Sequence, residues 1–208
     1  MEASGVNPFQ LEGGSVYAVR GKSHVQRGAF YSLAASCAAS CERVLMLAPF
    51  LPMAAKILAD ILHPHNVAAL AGIQMETISS LPDVLTMLSC ISAEVDDRRP
   101  RRLFLDISAL CPPNYDIFGM QETALVRATC LAMKRAARLG RLAVVLMDCS
   151  ASSPLWSSAH HVLLTVRDDQ RVVDATATLT GAALSYSLDD LFTLRARLYE
   201  QQEQSTTS

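Results

Sequence analysis

Three apolar runs, RVLMLAPF (43–50), RLFLDISAL (102–110) and LAVVLMDCS (142–150), constrain this chain more than any other feature. Each is apolar at nearly every consecutive position, so a strand built from it must be covered on both faces. A half-exposed strand alternates apolar and polar residues instead. Between these runs lie stretches with helical spacing: MAAKILADILH after Pro52, LPDVLTMLSCISAEV (81–95) and ETALVRATCLAMKRAARLG (122–140). The last is expected to end on Gly140 as its C-cap. Strands alternating with helices imply crossover connections and a mostly parallel sheet with helices on both faces.

Weaker signals complete this α/β scheme. SVYAV (15–19), after the Gly13-Gly14 turn, is expected as a first strand, and RGKSHVQRG (20–28) as a polar loop. AFYSLAASCAASCE (29–42) is expected as an Ala-rich helix, and VAALAG (67–72) as a short strand. HVLLTVRDDQRVVDATAT (161–178) has the pattern of a hairpin turned at Asp168-Asp169, with a further strand near ALSYSL. These add an antiparallel C-terminal edge. A single domain over 1–198, followed by a polar tail at 199–208, accounts for the length of 208 residues.

Composition excludes several function classes. The formal charge of −2 argues against a protein that coats nucleic acid. The N-terminal MEASGVNPFQLEGG has neither the basic start nor the apolar core of a secretion signal. No apolar run reaches the roughly 18–20 residues of a membrane span. An intracellular protein of the nucleus or cytosol, with no membrane partner, is expected. Most of the six cysteines sit in apolar runs, as buried free thiols do. Cys37 and Cys41 lie one helical turn apart, but no second pair or nearby His completes a zinc site.

The segment between the first strand and first helix is where a phosphate-binding loop would sit. Such a loop cradles phosphates on backbone N–H groups, with a Lys to neutralise them and a hydroxyl to hold magnesium. Gly21 matches the first motif glycine, and Lys22-Ser23 resembles the motif's ending but follows the strand too closely. Where Gly-Lys-Ser/Thr belongs stand Gln26-Arg27-Gly28. Arg27 offers a charged fork to a phosphate, whereas Gly28 has no hydroxyl for the metal. Asp106, ending the strand Leu103-Phe104-Leu105, has the position of an aspartate that orients a magnesium shell. From Arg43 to Met53 there is no acidic residue to polarise an attacking water. No cofactor is required on this reading, and ATP with magnesium is at most a doubtful ligand.

In order and spacing, LEGGSVYAVRG, RVLMLAPFLPMAAKILADIL, RRLFLDISALCPPNYDIFGMQETALVRATCLAMKRAARLGRLAVVLMDCSA and HHVLLTVRDDQRVV resemble the core of the RecA/RadA recombinase family. The similarity is greatest to eukaryotic recombinase paralogues, of the Shu-complex accessory type. It implies a RecA-like P-loop NTPase core with an altered nucleotide site, so a pseudo-ATPase. It also implies a partner, another RecA-like paralogue or a recombinase, in a heteromer that supports recombinase filaments in homologous recombination. A RecA-like accessory subunit of an Elongator-type tRNA-modification ring, and a small active ATPase using Arg27 and Asp106, remain open alternatives.

The resemblance places two loops near DNA, Pro112–Gln121 and Ser150–His161. Tyr115, Phe118 and Trp156 are its base-stacking candidates, and His160 its phosphate contact. Neither loop contains Lys or Arg, and phosphate contacts dominate nucleic-acid affinity, so binding is expected to be weak or to come from the complex. For Phe118 and Trp156 the competing role, anchoring a loop, is the favoured one. Arg98 and Arg99 belong to the densest basic cluster, partly offset by Asp96 and Asp97.

Overall fold

The computed structural model describes residues 11–40, 42–62, 67–93, 99–111, 120–147, 149, 154–166, 172–177 and 183–187. Three of its strands come from the three apolar runs: β2 (Val44–Ala48), β4 (Arg102–Leu105) and β5 (Ala143–Met147). With β1 (Val16–Arg20) and β3 (Ile73–Thr77) they form the parallel part of an eight-stranded sheet. Its order is β3-β2-β4-β5-β1-β6-β7-β8, where β6 is Val162–Val166, β7 Val172–Ala177 and β8 Ala183–Ser187. β6 runs parallel to β1, and the β6–β7 and β7–β8 pairs are antiparallel. Val162 pairs with Ala177 and Val166 with Val173, the register of the expected hairpin. Its turn at Asp168-Asp169 lies outside the described residues.

Why the central strands are apolar throughout is visible in the two cores. Tyr17 and Val19 of β1 enter one core with α1 (Ser23–Ala39) and α2 (Leu51–Leu62), while Val16 and Ala18 enter the other. That second core is built with α3 (Leu81–Ala93) and α4 (Met120–Gly140). Successive strand residues face opposite sides, so a sheet covered twice has no position for a polar side chain. Of β2 and β5, every residue is buried.

Four expectations require correction. VAALAG is a 3-10 turn, Val67–Gly72, and the strand is the following Ile73–Thr77. β3 is an edge strand that is only half covered, so it tolerates Gln74 and Glu76, whereas Ala and Gly favour strands poorly. The run 102–110 yields a strand only to Leu105, and Ser108–Leu110 is a 3-10 turn. Residues Ser23–Gly28 are helix rather than loop. A glycine inside a helix costs only about 1 kcal/mol, which the packing of α1 offsets. Finally, the left-handed residue closing α4 is Arg141, with φ +50°, not Gly140.

The α4 end shows why the two glycines near it are glycines. Leu142 N–H reaches back to the Ala137 carbonyl at 3.2 Å, the wide bond of a Schellman closure. A Cβ on Gly140 would come within 2.6 Å of Leu142 Cδ2. A Cβ on Gly13 would collide with the Arg141 carbonyl oxygen. Gly14 N–H then bonds the Leu142 carbonyl at 3.0 Å, which starts β1 beside β5.

Candidate functional site

In open α/β sheets ligands gather at the carboxyl ends of the parallel strands. β1 ends at Arg20 and α1 begins at Ser23, so only Gly21 and Lys22 separate them. Two residues cannot encircle a phosphate. Lys22 is the N-cap, with φ −58° and ψ 149° and no side-chain cap. Its carbonyl accepts the Gln26 N–H at 2.7 Å, and the Gln26 side-chain Nε2 donates to the Val19 carbonyl at 2.7 Å. The first turn of the helix is therefore tied back onto the strand. Of the predicted phosphate-site residues, Gly21 and Lys22 form the junction and Ser23 opens the helix. Arg27 is half-buried and Gly28 buried, both within the helix.

Asp106 stands one residue beyond β4, on the carboxyl side of the sheet. It is 6% exposed, and its N–H bonds the Leu47 carbonyl at 2.9 Å. Its Oδ2 accepts the Tyr31 hydroxyl of α1 at 3.2 Å. Its Oδ1 accepts the Ser108 hydroxyl at 2.7 Å and the Ser108 N–H at 3.3 Å. Tyr31 is itself buried, edge-on to Phe30 at 5.3 Å, and Phe30 meets Phe104 of β4 edge-on at 5.4 Å. The aspartate thus links α1, β4 and the following 3-10 turn, and both of its oxygens receive donors from the chain itself. Tyr31 is not among the sequence candidates; its hydroxyl in an otherwise Ala-rich helix is the available signal.

At the end of β2, where a water-activating acid would stand, the chain continues as Pro49, Phe50 and Leu51. Phe50 is 61% exposed and Met53 43%. At the end of β5, Cys149 is buried with its Sγ 3.4 Å from the Met147 carbonyl. Asp148 lies outside the described residues. Burial pushes the Cys37 thiol up to about 12, with Glu42 adding to the rise, and burial pushes Cys130 up to about 11. Both remain protonated at neutral pH, which suits packing rather than nucleophilic chemistry. Among the described residues no group of three His, Cys, Asp or Glu could hold a metal. No helix among them is long and apolar enough to cross a membrane.

The loop candidates divide. Tyr115, Phe118 and Arg98 lie outside the described residues. Arg99 is half-buried, with Nη2 3.5 Å from the Ser92 carbonyl. Trp156 and His160 are corrected: they are 1% and 5% exposed, so neither presents a ring to a base or phosphate. The 3-10 turn Pro154–Ser158 packs on α4 and inserts the indole into the second core. Burying so large an apolar surface outweighs leaving the indole Nε1 without a hydrogen-bond partner. Beyond this turn His161 accepts the Val16 N–H on Nδ1 at 3.0 Å and returns its own N–H to the Val16 carbonyl at 2.7 Å. Burial, followed by the charges of Lys134 and Arg138, holds its imidazole below the ordinary value.

No protein-family profile matches this sequence, and no curated protein matches it. Solved structures do match in three dimensions. The chain is similar to the RadB recombinase, with a TM-score of 0.58 and 13% identity over 86% of this chain and 89% of that one. It is also similar to the ATPase domain of a helicase, with a TM-score of 0.54 and 10% identity over 86% and 82%. The fold is accordingly RecA-like: a mostly parallel sheet between two helical layers, with an antiparallel C-terminal edge.

Proposed function

We propose that this chain is a non-catalytic RecA-like paralogue that acts through protein contacts in a heteromeric nuclear complex supporting recombinase filaments in DNA repair. The observation that carries the reading is the state of Asp106. The carboxylate positioned to orient a magnesium shell is hydrogen-bonded instead to Tyr31 and Ser108. The two-residue β1–α1 junction and the exposed Phe50 in place of an acid support the same conclusion. Without a loop to wrap the phosphates or a base to activate water, the pieces that lower the barrier to phosphoryl transfer are missing from the described site.

The recombination part of the proposal draws on the order of motifs in the sequence and on the structural likeness to a protein described as a recombinase. DNA affinity, on this reading, is weak and comes mainly from the partners. Burial of Trp156 and His160 removes two of the aromatic and basic contacts that one loop would have provided.

The test is affinity purification of the tagged chain from its own cells, with mass spectrometry of what accompanies it. Recovery of a recombinase or a second RecA-like paralogue is expected. Recovery of tRNA-modification subunits with no recombination factor would overturn the function while leaving the fold unchanged.

A further inference from the structure

We infer that the groove between α3 and α4 is a docking site for an acidic amphipathic helix of a partner protein. The groove has a volume of about 510 Å³ and opens on the outer face of the helical layer. Ala93 of α3 and Ala128 and Ala132 of α4 contribute small side chains to it, and Leu131, Arg135 and Leu139 line the same cleft. Leu131 is 69% exposed and Leu139 59%. They lie eight residues apart on α4, about 12 Å along its axis, with Arg135 between them. Two large apolar side chains left in water around a cleft with small-residue walls are the pattern of a helix-binding groove.

Charge selects the occupant. Arg127, Arg135 and Arg138 are all exposed on α4, and none forms an ion pair among the described residues. The acidic residues of these two helices, Asp83 and Glu122, stand in the first turns, away from the C-terminal halves that form most of the groove. A second copy pairing through this face would set arginines against arginines. A nucleic acid would use the arginines but leave Leu131 and Leu139 in water. A helix with apolar residues at i, i+3 or i+4, and i+7, flanked by Asp or Glu, satisfies both features at once. The inference goes beyond the recombination reading and does not rest on it, since no residue of the groove lies at the nucleotide end of the strands.

The experiment places a photo-cross-linking amino acid at Ala128 in the full chain, expressed in its own cells, and sequences the captured segment. A segment with the apolar stripe and flanking acids is expected. Its synthetic copy should bind the purified chain, with Kd raised at least tenfold by either Arg135→Glu or Leu139→Ser. Changing the peptide's acids to Lys should restore binding to the Arg135→Glu chain. Circular dichroism melts check that both exposed substitutions leave the fold intact. Cross-links to nucleic acid, to a second copy or to a segment without acids would overturn the inference. So would no cross-link at all, or an affinity indifferent to Arg135→Glu. Failure to recover recombination factors in the purification would leave these outcomes unaffected.

Discussion

The two ends of the sheet hold together in different ways. At the amino end, backbone does the joining: Gly14 to Leu142, Val144 to the Ser15 carbonyl at 3.0 Å, and His161 to Val16. At the carboxyl end, polar side chains do it: Gln26 on Val19, and Tyr31 and Ser108 on Asp106. The carboxyl end is where a RecA-like core would receive its nucleotide. Here those side chains are engaged in bracing the helix to the sheet. Groups that serve a ligand usually cost stability, and groups that serve the fold add to it. The contrast can therefore be broken or sharpened by substitution.

The largest effect is expected at Trp156. Trp156→Ala should lower the unfolding free energy by about 4 kcal/mol, because it empties a fully buried site. Trp156→Phe should cost only about 1 kcal/mol, since the indole N–H has no partner to lose. Urea unfolding measures both, and an alanine variant as stable as the parent would return Trp156 to the surface. Next comes Gly13→Ala, at about 2 to 3 kcal/mol, through its collision with the Arg141 carbonyl at the amino end. A melting temperature unchanged by that substitution would mean the amino end is looser than described.

At the carboxyl end, Tyr31→Phe should cost about 1.5 kcal/mol, the typical loss of a buried hydrogen bond to a charged group. A neutral or stabilising outcome would mark Asp106 as held in reserve for a ligand. The smallest effect is a pH dependence at His161. Its folded value lies below the ordinary 6.5, so the unfolded chain takes up the proton first as the solution is acidified. Its contribution is fully present above that ordinary value and is lost as pH falls through the lowered one, when protonated Nδ1 would oppose the Val16 N–H. His161→Gln should flatten the slope of stability against pH in this window; an identical slope would dismiss the contact.

How much of this was legible in the sequence follows from the range of the interactions involved. β2, β4 and β5 were readable because burial on both faces leaves a continuous apolar signature. β3 was not, because a half-covered edge strand carries Gln74 and Glu76 and resembles a loop. The start of α1 was obscured by its polar first turn and by Gly28, which punctuate a sequence even where packing carries a helix through them. Asp106 could be placed at a strand end, but its bond to Tyr31 joins residues 75 positions apart and leaves no local trace. Trp156 was ambiguous for the same reason: what buries it is α4, distant in sequence. The arginines of α4 read as a solvent face, and only the position of α3 beside Leu131 and Leu139 turns that face into a groove.

The most direct test of the central contrast is magnesium-dependent ATP hydrolysis by the purified full chain beside its Asp106→Ala variant. If the carboxyl end is braced on itself, both should release phosphate only at the background rate. Turnover by the parent that Asp106→Ala abolishes would show that the aspartate serves a nucleotide, and would contradict the account.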